Sequence, residues 1–367
     1  MRILFTHIYT WPEVRRGGER YLHELASALV GAGHDVTIVS SSLTPGTEEI
    51  LGVPVQRIPR RQRLRRYGDV GPEMLFGLEL LARHAADRVD VWHAFGTADA
   101  AAAAFLSTVR PWPRLKSVYS DLGGADRAYR ELRGDKRIFE YVAKHIDAYL
   151  CLSETTNAML AADYHRSGIV VGGGVDLERF QPAAARTAHP TLLFTGKLDE
   201  PRKNLPLLLD ALDVLLDTQP DVRLRLSAPG DATDALNGAT PRARAATDVL
   251  GVGDPGDVER LYGEAWTTVL PSISEAFGLV LVESLACGTP IVALAEGGGP
   301  AEIVKPGTGA LASAPTPVAL AEACAIALDI ARTGAAGRDA CRAEALQYGW
   351  REAIAPRIEK IYRDLIR

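Results

Sequence analysis

The chain has 367 residues, 47% of them hydrophobic and 24% charged, a composition that excludes disorder and a length that suits two domains of ordinary size. Its 41 basic and 46 acidic residues leave a net charge of -5 and a pI near 6.0, which argues against a dedicated nucleic-acid binder, so any basic site must be local. The four cysteines, Cys151, Cys287, Cys324 and Cys341, have no paired spacing, so neither a disulfide framework nor a zinc site is indicated, and a reducing cytoplasm is the expected location.

The opening Met1-Arg2-Ile3-Leu4-Phe5 is too short an apolar run for a signal peptide and reads as a first buried strand. Leu22, Leu25 and Leu29 recur at helical spacing and predict a helix over 19–30, ended by Gly31 and Gly33. Further β-rich runs at 36–40, 89–93, 117–119, 148–152 and 169–171 alternate with helical patterns. The small-residue stretch 98–106 contains Asp99 and is about half the ~20 residues of a spanning helix, so membrane contact is at most peripheral. A second series of strands is predicted at 192–195, 224–227, 248–250, 268–270, 291–294 and 309–311. Such alternation is the signature of parallel βαβ units, and the fold class is α/β with two doubly wound parallel sheets.

The segment 181–190 has linker composition, which divides the chain into domains over 1–185 and 186–348. A final amphipathic helix within 349–367 carries Ile354, Ile358, Ile361 and Leu365 on one face and needs a surface to cover. Two doubly wound domains are expected to leave a cleft between the carboxyl edges of their sheets.

Glu275 and Glu283 stand with seven residues between them, after a predicted strand and around Phe277-Gly278-Leu279. The helix start that follows Gly278 is an anion site, because its first amides and its dipole can hold a diphosphate. A carboxylate on each side accepts hydrogen bonds from vicinal hydroxyls, so the pair fits a nucleotide-sugar. Helix capping by Glu275 and a solvated Glu283 are the plainer reading of two glutamates alone.

Taken with Gly17-Gly18-Glu19-Arg20, Gly33-His34-Asp35-Val36, Gly174-Val175-Asp176, Gly196-Lys197-Leu198, Lys203-Asn204 and Gly298-Gly299-Pro300-Ala301-Glu302-Ile303-Val304, the chain resembles retaining glycosyltransferases of sequence family 4. These are the group 1 enzymes that include glycogen synthases and mannosyltransferases. The resemblance implies the GT-B fold of two Rossmann-like domains, an N-terminal one for the acceptor and a C-terminal one for the donor. It also implies a terminal helix that packs back on the first domain.

Carried over to this sequence, Lys203 meets the donor diphosphate, and Lys197 stands where the family usually has arginine, with Arg202 adjacent. Glu283 takes the ribose, and Glu275 takes the transferred sugar. Backbone groups of Phe277, Gly278, Leu279 and Val280 meet the sugar hydroxyls and phosphate, Gly17 and Gly18 reach toward the donor phosphate and the acceptor, and the base lies against 250–257, Val252 among them. Gly172-Gly173-Gly174 replaces the more usual Asn-Gly before Val-Asp. The family's sugar-facing histidine is absent, so Ser120 or Asp121 stands in for it, in either register. His93 reads as a strand-end residue.

The implied chemistry is transfer of a sugar from a UDP- or GDP-sugar with retained anomeric configuration, the leaving diphosphate helping to deprotonate the acceptor. No Asp-any-Asp motif is evident, so no metal or other cofactor is expected, and Lys197, Lys203 and the helix start take the ion's place. Rival readings are a non-catalytic sugar-nucleotide binder and an epimerase or phosphorylase on the same fold. A dinucleotide-dependent oxidoreductase is disfavoured, because no Gly-any-Gly-any-any-Gly follows the first strand. Six arginines fall within 57–66; such a block is as readily plain solvated surface, and among functional readings Arg61, Arg63, Arg65 and Arg66 are candidate contacts for an anionic acceptor, ahead of membrane docking.

Overall fold

A computed structural model describes residues 1–14, 17–61, 70–84, 88–109, 115–124, 126–251 and 257–367. The chain divides into two compact units, Met1–Gly174 with Trp350–Arg367, and Val175–Gly349.

In the first unit, strands β1 (Arg2–Thr6), β2 (Asp35–Ser42), β3 (Gly46–Ile50), β4 (Val53–Pro59), β5 (Val91–Ala94), β6 (Lys116–Asp121), β7 (Ala148–Cys151) and β8 (Ile169–Val170) form one sheet in the order β3-β4-β2-β1-β5-β6-β7-β8. Every pairing is parallel except that of β3 with β4. At that edge Leu51 and Gly52, both at positive φ, turn a hairpin that adds one antiparallel strand to the parallel sheet. Central strands are buried on both faces and so read as unbroken apolar runs rather than alternations: Ile3, Leu4 and Phe5 in β1, Val91 and Trp92 in β5.

The second unit holds β9 (Thr191–Phe194), β10 (Arg223–Leu226), β11 (Thr247–Val249), β12 (Thr267–Leu270), β13 (Ile291–Leu294) and β14 (Gly309–Ala312). They form a parallel sheet in the order β11-β10-β9-β12-β13-β14. Leu205, Leu208, Leu209, Leu212 and Leu215 of the helix Leu205–Leu215 pack into its core beside Leu192 and Phe194.

Each sheet has one place where the strand order reverses direction. β1 leads outward to β2 and β5 outward to β6; β9 leads to β10 and β12 to β13. Doubly wound sheets bind ligands outside the carboxyl ends of the strands at such switch points.

Val175 begins the second unit, eleven residues before the boundary expected from composition. Val175 donates its amide to the Tyr348 carbonyl at 2.8 Å, and the Arg342 guanidinium holds the carbonyls of Leu177 and Phe180 at 2.6 Å each. Within the segment read as a linker, Arg186 bonds the Ala331 carbonyl at 2.6 Å and Arg338 bonds that of Ala183 at 2.5 Å. The partners that tie this segment down, Ala331, Arg338 and Arg342, lie far along the chain, where composition does not register them.

The terminal helix Ala355–Ile366 belongs to the first unit, on whose core it buries Ile358 and Tyr362. Trp350 packs edge-on against Tyr21 at 4.8 Å and donates its indole N–H to Glu24 at 2.6 Å. Ile361 and Leu365 are only half-buried, and Tyr362, absent from the predicted stripe, is as fully buried as Ile354 and Ile358. All four cysteines are free and buried. Among the described residues no helix is long and apolar enough to cross a membrane.

Candidate functional site

At the switch point of the second sheet, three loops meet on Glu275. The loop after β9 carries a short turn, Pro201–Lys203; Lys203 Nζ donates to Glu275 Oε2 at 2.5 Å and an Arg202 guanidinium N–H to the same oxygen at 2.8 Å. The loop after β12 is tied to the first by the Ile273 amide, 3.0 Å from the Arg202 carbonyl. From the loop after β13, the Gly297 carbonyl accepts the Glu275 amide at 3.0 Å, and the Gly299 amide donates to the Glu275 carbonyl at 2.9 Å. Glu275 thus sits in a backbone bridge with Gly298 while its carboxylate gathers two cations.

Gly278 caps the helix Leu279–Ala286 with φ 98°, a left-handed conformation that strains any residue bearing a Cβ. Phe277 is buried edge-on against Tyr348, while Leu279 and Val280 are half-buried at the helix start. The first amides of a helix have no i−4 partner and can take an anion; here the Leu281 amide turns back to the Gly278 carbonyl at 2.9 Å. Glu283 lies one turn further in and is only 2% exposed.

The predicted cations differ in setting. The Lys203 side chain is 15% exposed and anchored to Glu275; that of Lys197 is 54% exposed and pairs with Asp199 at 3.3 Å. The Lys203–Glu275 contact escaped sequence reasoning, although opposite charges following two strands would have pointed to it once β9 and β12 were known to be neighbours. Val252 lies outside the described residues.

Close packing holds the node. A Cβ on Gly299 would stand 2.2 Å from the Ala276 carbonyl oxygen and 2.8 Å from the Phe277 Cα. Gly299→Ala is therefore expected to push back the Glu275–Phe277 segment at a cost of roughly 1–3 kcal/mol. The unfolding temperature should fall by roughly 2 to 10 °C, together with nucleotide affinity. Gly238→Ala is the control, because nothing lies within 4 Å of its added Cβ. Equal melting and binding for the two variants would contradict this role.

In the first unit, Gly17 and Gly18 begin the helix Gly17–Gly31, and a Cβ on Gly18 would lie 3.2 Å from Leu122 Cδ1, beside the Ser120–Asp121 segment. Both of those residues are hydrogen-bonded within the first unit. Ser120 Oγ is hydrogen-bonded to His93 Nε2 at 2.7 Å. Asp121 is buried; its Oδ2 accepts from the Tyr149 hydroxyl at 2.6 Å, and its Oδ1 accepts from Arg130 and from the Gly123 and Gly124 amides. His93 lies inside β5, stacks on Phe95, bonds the Tyr362 hydroxyl, and is held down to about 3 by burial.

The arginine run is partly neutralised. Arg57 pairs with Glu48, Arg60 pairs with Glu13 at 2.7 Å, and Arg61 lies 3.6 Å from Glu79. Arg63, Arg65 and Arg66 lie outside the described residues. Among the described residues, no group of three His, Cys, Asp or Glu side chains is placed to hold a metal ion.

The family model described as Glycosyltransferase Family 4 matches residues 15–179, and that described as Glycosyl transferases group 1 matches 189–329. A D-inositol 3-phosphate glycosyltransferase of Nocardiopsis dassonvillei is 30% identical over 319 residues, covering 76% of this chain and 73% of the relative. The chain belongs to the family 4, group 1 glycosyltransferases. A phosphatidyl-myo-inositol mannosyltransferase of Mycobacterium tuberculosis is 38% identical over 130 residues, but that match spans only 34% of the relative's length and 34% of this chain.

Among solved structures, sucrose-phosphate synthase from Thermosynechococcus elongatus superposes with a TM-score of 0.78 at 22% identity, covering 99% of this chain and 98% of that one. Anabaena HepE in complex with UDP and glucose gives 0.73 at 16% identity, covering 100% and 99%. This glycosyltransferase has the GT-B fold of its structural neighbours.

Proposed function

We propose that this glycosyltransferase moves a hexose from a nucleoside-diphosphate sugar to an acceptor hydroxyl with retention of configuration. In this reading the second unit holds the donor, the first holds the acceptor, and no divalent ion takes part. The observation that carries it is the Glu275 node with Lys203 and Arg202, next to the Gly278 helix start at the switch point of the second sheet. The HepE structures with UDP and with UDP-glucose support a uridine nucleotide as the first donor to try.

Lys203 uses one of its three ammonium donors on Glu275, which orients the others toward an anion. As the glycosidic bond breaks, negative charge builds on the leaving diphosphate. Lys203, Arg202 and the first amides of the helix Leu279–Ala286 stabilise that charge more in the transition state than in the ground state. The diphosphate accepts the acceptor's proton on the same face of the sugar, which keeps the anomeric configuration. Glu275 accepts from a hydroxyl of the transferred sugar, and Glu283 from the ribose. The inositol-directed names of two relatives make an anionic polyol a natural acceptor to test.

Turnover of UDP-, GDP- and ADP-sugars with D-inositol 3-phosphate and neutral sugars as acceptors, with the product anomer read by NMR, tests this reading. A sugar-nucleotide binder would instead show affinity without release of nucleoside diphosphate. Lys203→Ala should lower kcat by roughly tenfold to a hundredfold, as for the loss of a charged hydrogen bond, and Lys197→Ala by less than about tenfold. Equal losses would place the diphosphate elsewhere. Activity is expected to persist in EDTA; abolition by the chelator and rescue by magnesium would overturn the metal-free mechanism.

A further inference from the structure

The helix Leu279–Ala286 has eight residues and is about 12 Å long, and its own last turn contains no basic residue. Cations from elsewhere in the second unit meet its negative end. The carbonyls of Glu283, Ser284 and Leu285 accept the amides of Cys287, Thr289 and Gly288 as the chain turns at Gly288, which has φ 71°. Ala286 is left, and its carbonyl accepts from Arg342 Nη1 at 2.7 Å; the Gly288 carbonyl just beyond accepts from Arg186 Nη2 at 3.1 Å. Arg342 belongs to the helix Ala335–Ala345, and Arg186 to the segment before β9.

Neither guanidinium pairs with a carboxylate among the described residues. Arg342 gives its other bonds to the carbonyls of Leu177 and Phe180, and Arg186 to that of Ala331, near the end of the helix Pro317–Arg332. Burial and the neighbouring Arg338 charge hold Arg186 down to about 10 from 12.5, and its Nε is buried without a partner. Two positive charges therefore stand at the end of the helix opposite the Gly278 start, where the Leu281 amide returns to Gly278 and those of Leu279 and Val280 remain for an anion. Between the two ends Leu281, Val282, Leu285 and Ala286 are fully buried, so water and salt screen little along this path. Glu283 lies midway along the helix at 2% exposure; its carboxylate opposes an anion, and the two guanidiniums set positive charge against it.

We propose that Arg342, with Arg186 behind it, is a positioning residue for the donor diphosphate: acting through the helix Leu279–Ala286, it supplies from the far end part of the positive potential that holds the diphosphate at the Gly278 start. The proposal rests on the reading that the second unit holds a nucleoside-diphosphate sugar there. Its signature is dependence on the charge of the ligand. A residue that only pins the 177–180 segment affects a nucleoside and its diphosphate alike, whereas one that acts through charge affects the diphosphate alone.

The test measures UDP affinity by calorimetry and uridine affinity by NMR shift titration on the full chain. Arg342→Gln, whose amide still donates to carbonyls, is expected to bind UDP roughly threefold to tenfold more weakly, the effect of one charge on a doubly charged group about 15 Å away at an effective dielectric of about 40. Uridine affinity should stay at the wild-type value, and Arg342→Lys, which keeps the charge, should hold UDP affinity within about twofold. Unchanged UDP affinity in Arg342→Gln, or equal losses for UDP and uridine, would make the residue a structural clasp and overturn the proposal. If Arg342→Gln is unfolded at the assay temperature, Arg186→Gln, which releases only the Gly288 and Ala331 carbonyls, takes its place and is judged by the same two readings. A wild type that binds none of UDP, GDP and ADP overturns the donor reading and this proposal with it; a wild type that binds one of them, with variants indifferent to ligand charge, overturns this proposal alone.

Discussion

Between pH 6.5 and pH 4 the first unit should lose about 4 kcal/mol of stability, out of the roughly 5–15 kcal/mol typical of a folded domain. Two buried imidazoles drive the loss. Burial holds His93 down to about 3 from its ordinary 6.5, and burial together with the neighbouring Arg57 charge holds His23, hydrogen-bonded to Thr10, down to about 4. A histidine with a depressed folded pKa contributes stability that is present above 6.5 and is lost as pH falls, because the unfolded chain takes the proton first. Each imidazole removes about 1.4 kcal/mol per pH unit within that window.

Asp99 works the other way. Burial pushes its carboxyl up to about 6 from 3.8, against the opposing pull of the His7 charge, the Thr6 hydroxyl and backbone N–H groups. Its folded form binds a proton before the unfolded form does, so stability returns as pH falls from about 6 toward 3.8, offsetting about 2 to 3 kcal/mol of the histidine loss. Surface ion pairs such as Lys360–Asp364 add little on this scale.

Urea unfolding across the pH range, with hydrogen exchange to place the opening in β1, β5 and β6, measures the effect. His93→Gln and His23→Gln should each flatten the acid limb, and Asp99→Asn should steepen it. A wild-type free energy that stays level from pH 6.5 to pH 4, or variants with identical slopes, would sink this account.

Replacing Glu275 by Gln should cut turnover roughly tenfold to a hundredfold while leaving the fold intact, whereas Glu283→Gln should weaken donor binding by a similar factor. Both expectations follow from where the carboxylates stand. Glu275 is joined to its neighbours by backbone bonds that the amide preserves, so the three loops stay together. What goes is the charge that holds Lys203 at 2.5 Å and Arg202 at 2.8 Å, and with it the aim of both cations. The glutamine amide oxygen can still accept from Lys203 and Arg202, so the loss should appear mainly in kcat.

Glu283 is buried within the helix behind Gly278, so its neutral replacement should act on binding. Calorimetry with UDP and steady-state kinetics separate the two. Combining Glu275→Gln with Lys203→Ala should cost less than the product of the single effects, because both remove one shared interaction. Unaltered kinetics and binding in the two single variants would remove the glutamates from the site.

Much of this was legible before any coordinates. The runs 3–6, 192–195 and 291–294 stand out as strands because a strand covered on both faces must be apolar at every position, and that demand is met by adjacent residues. The helix Gly17–Gly31 announced itself through Leu22, Leu25 and Leu29, and the family motifs singled out both Lys203 and Glu275, which the structure joins. The edge hairpin was not legible. Gly46, Thr47, Glu48 and Glu49 are exposed, so the strand carries no buried alternation to read.

The node itself depends on strand order. Lys203 and Glu275 are 72 positions apart, and His93 and Tyr362 are 269 apart. Periodicity and turn chemistry act over a few residues and therefore fix which segments become strands and helices. Which loops become neighbours is decided by how helices cover the two faces of each sheet. Only the tertiary structure, by setting β9 beside β12 and β1 beside β5, could show that Glu275 holds the cations and that the Thr6 hydroxyl donates to Asp99, because burial and pairing energies between distant segments leave no local mark on the chain.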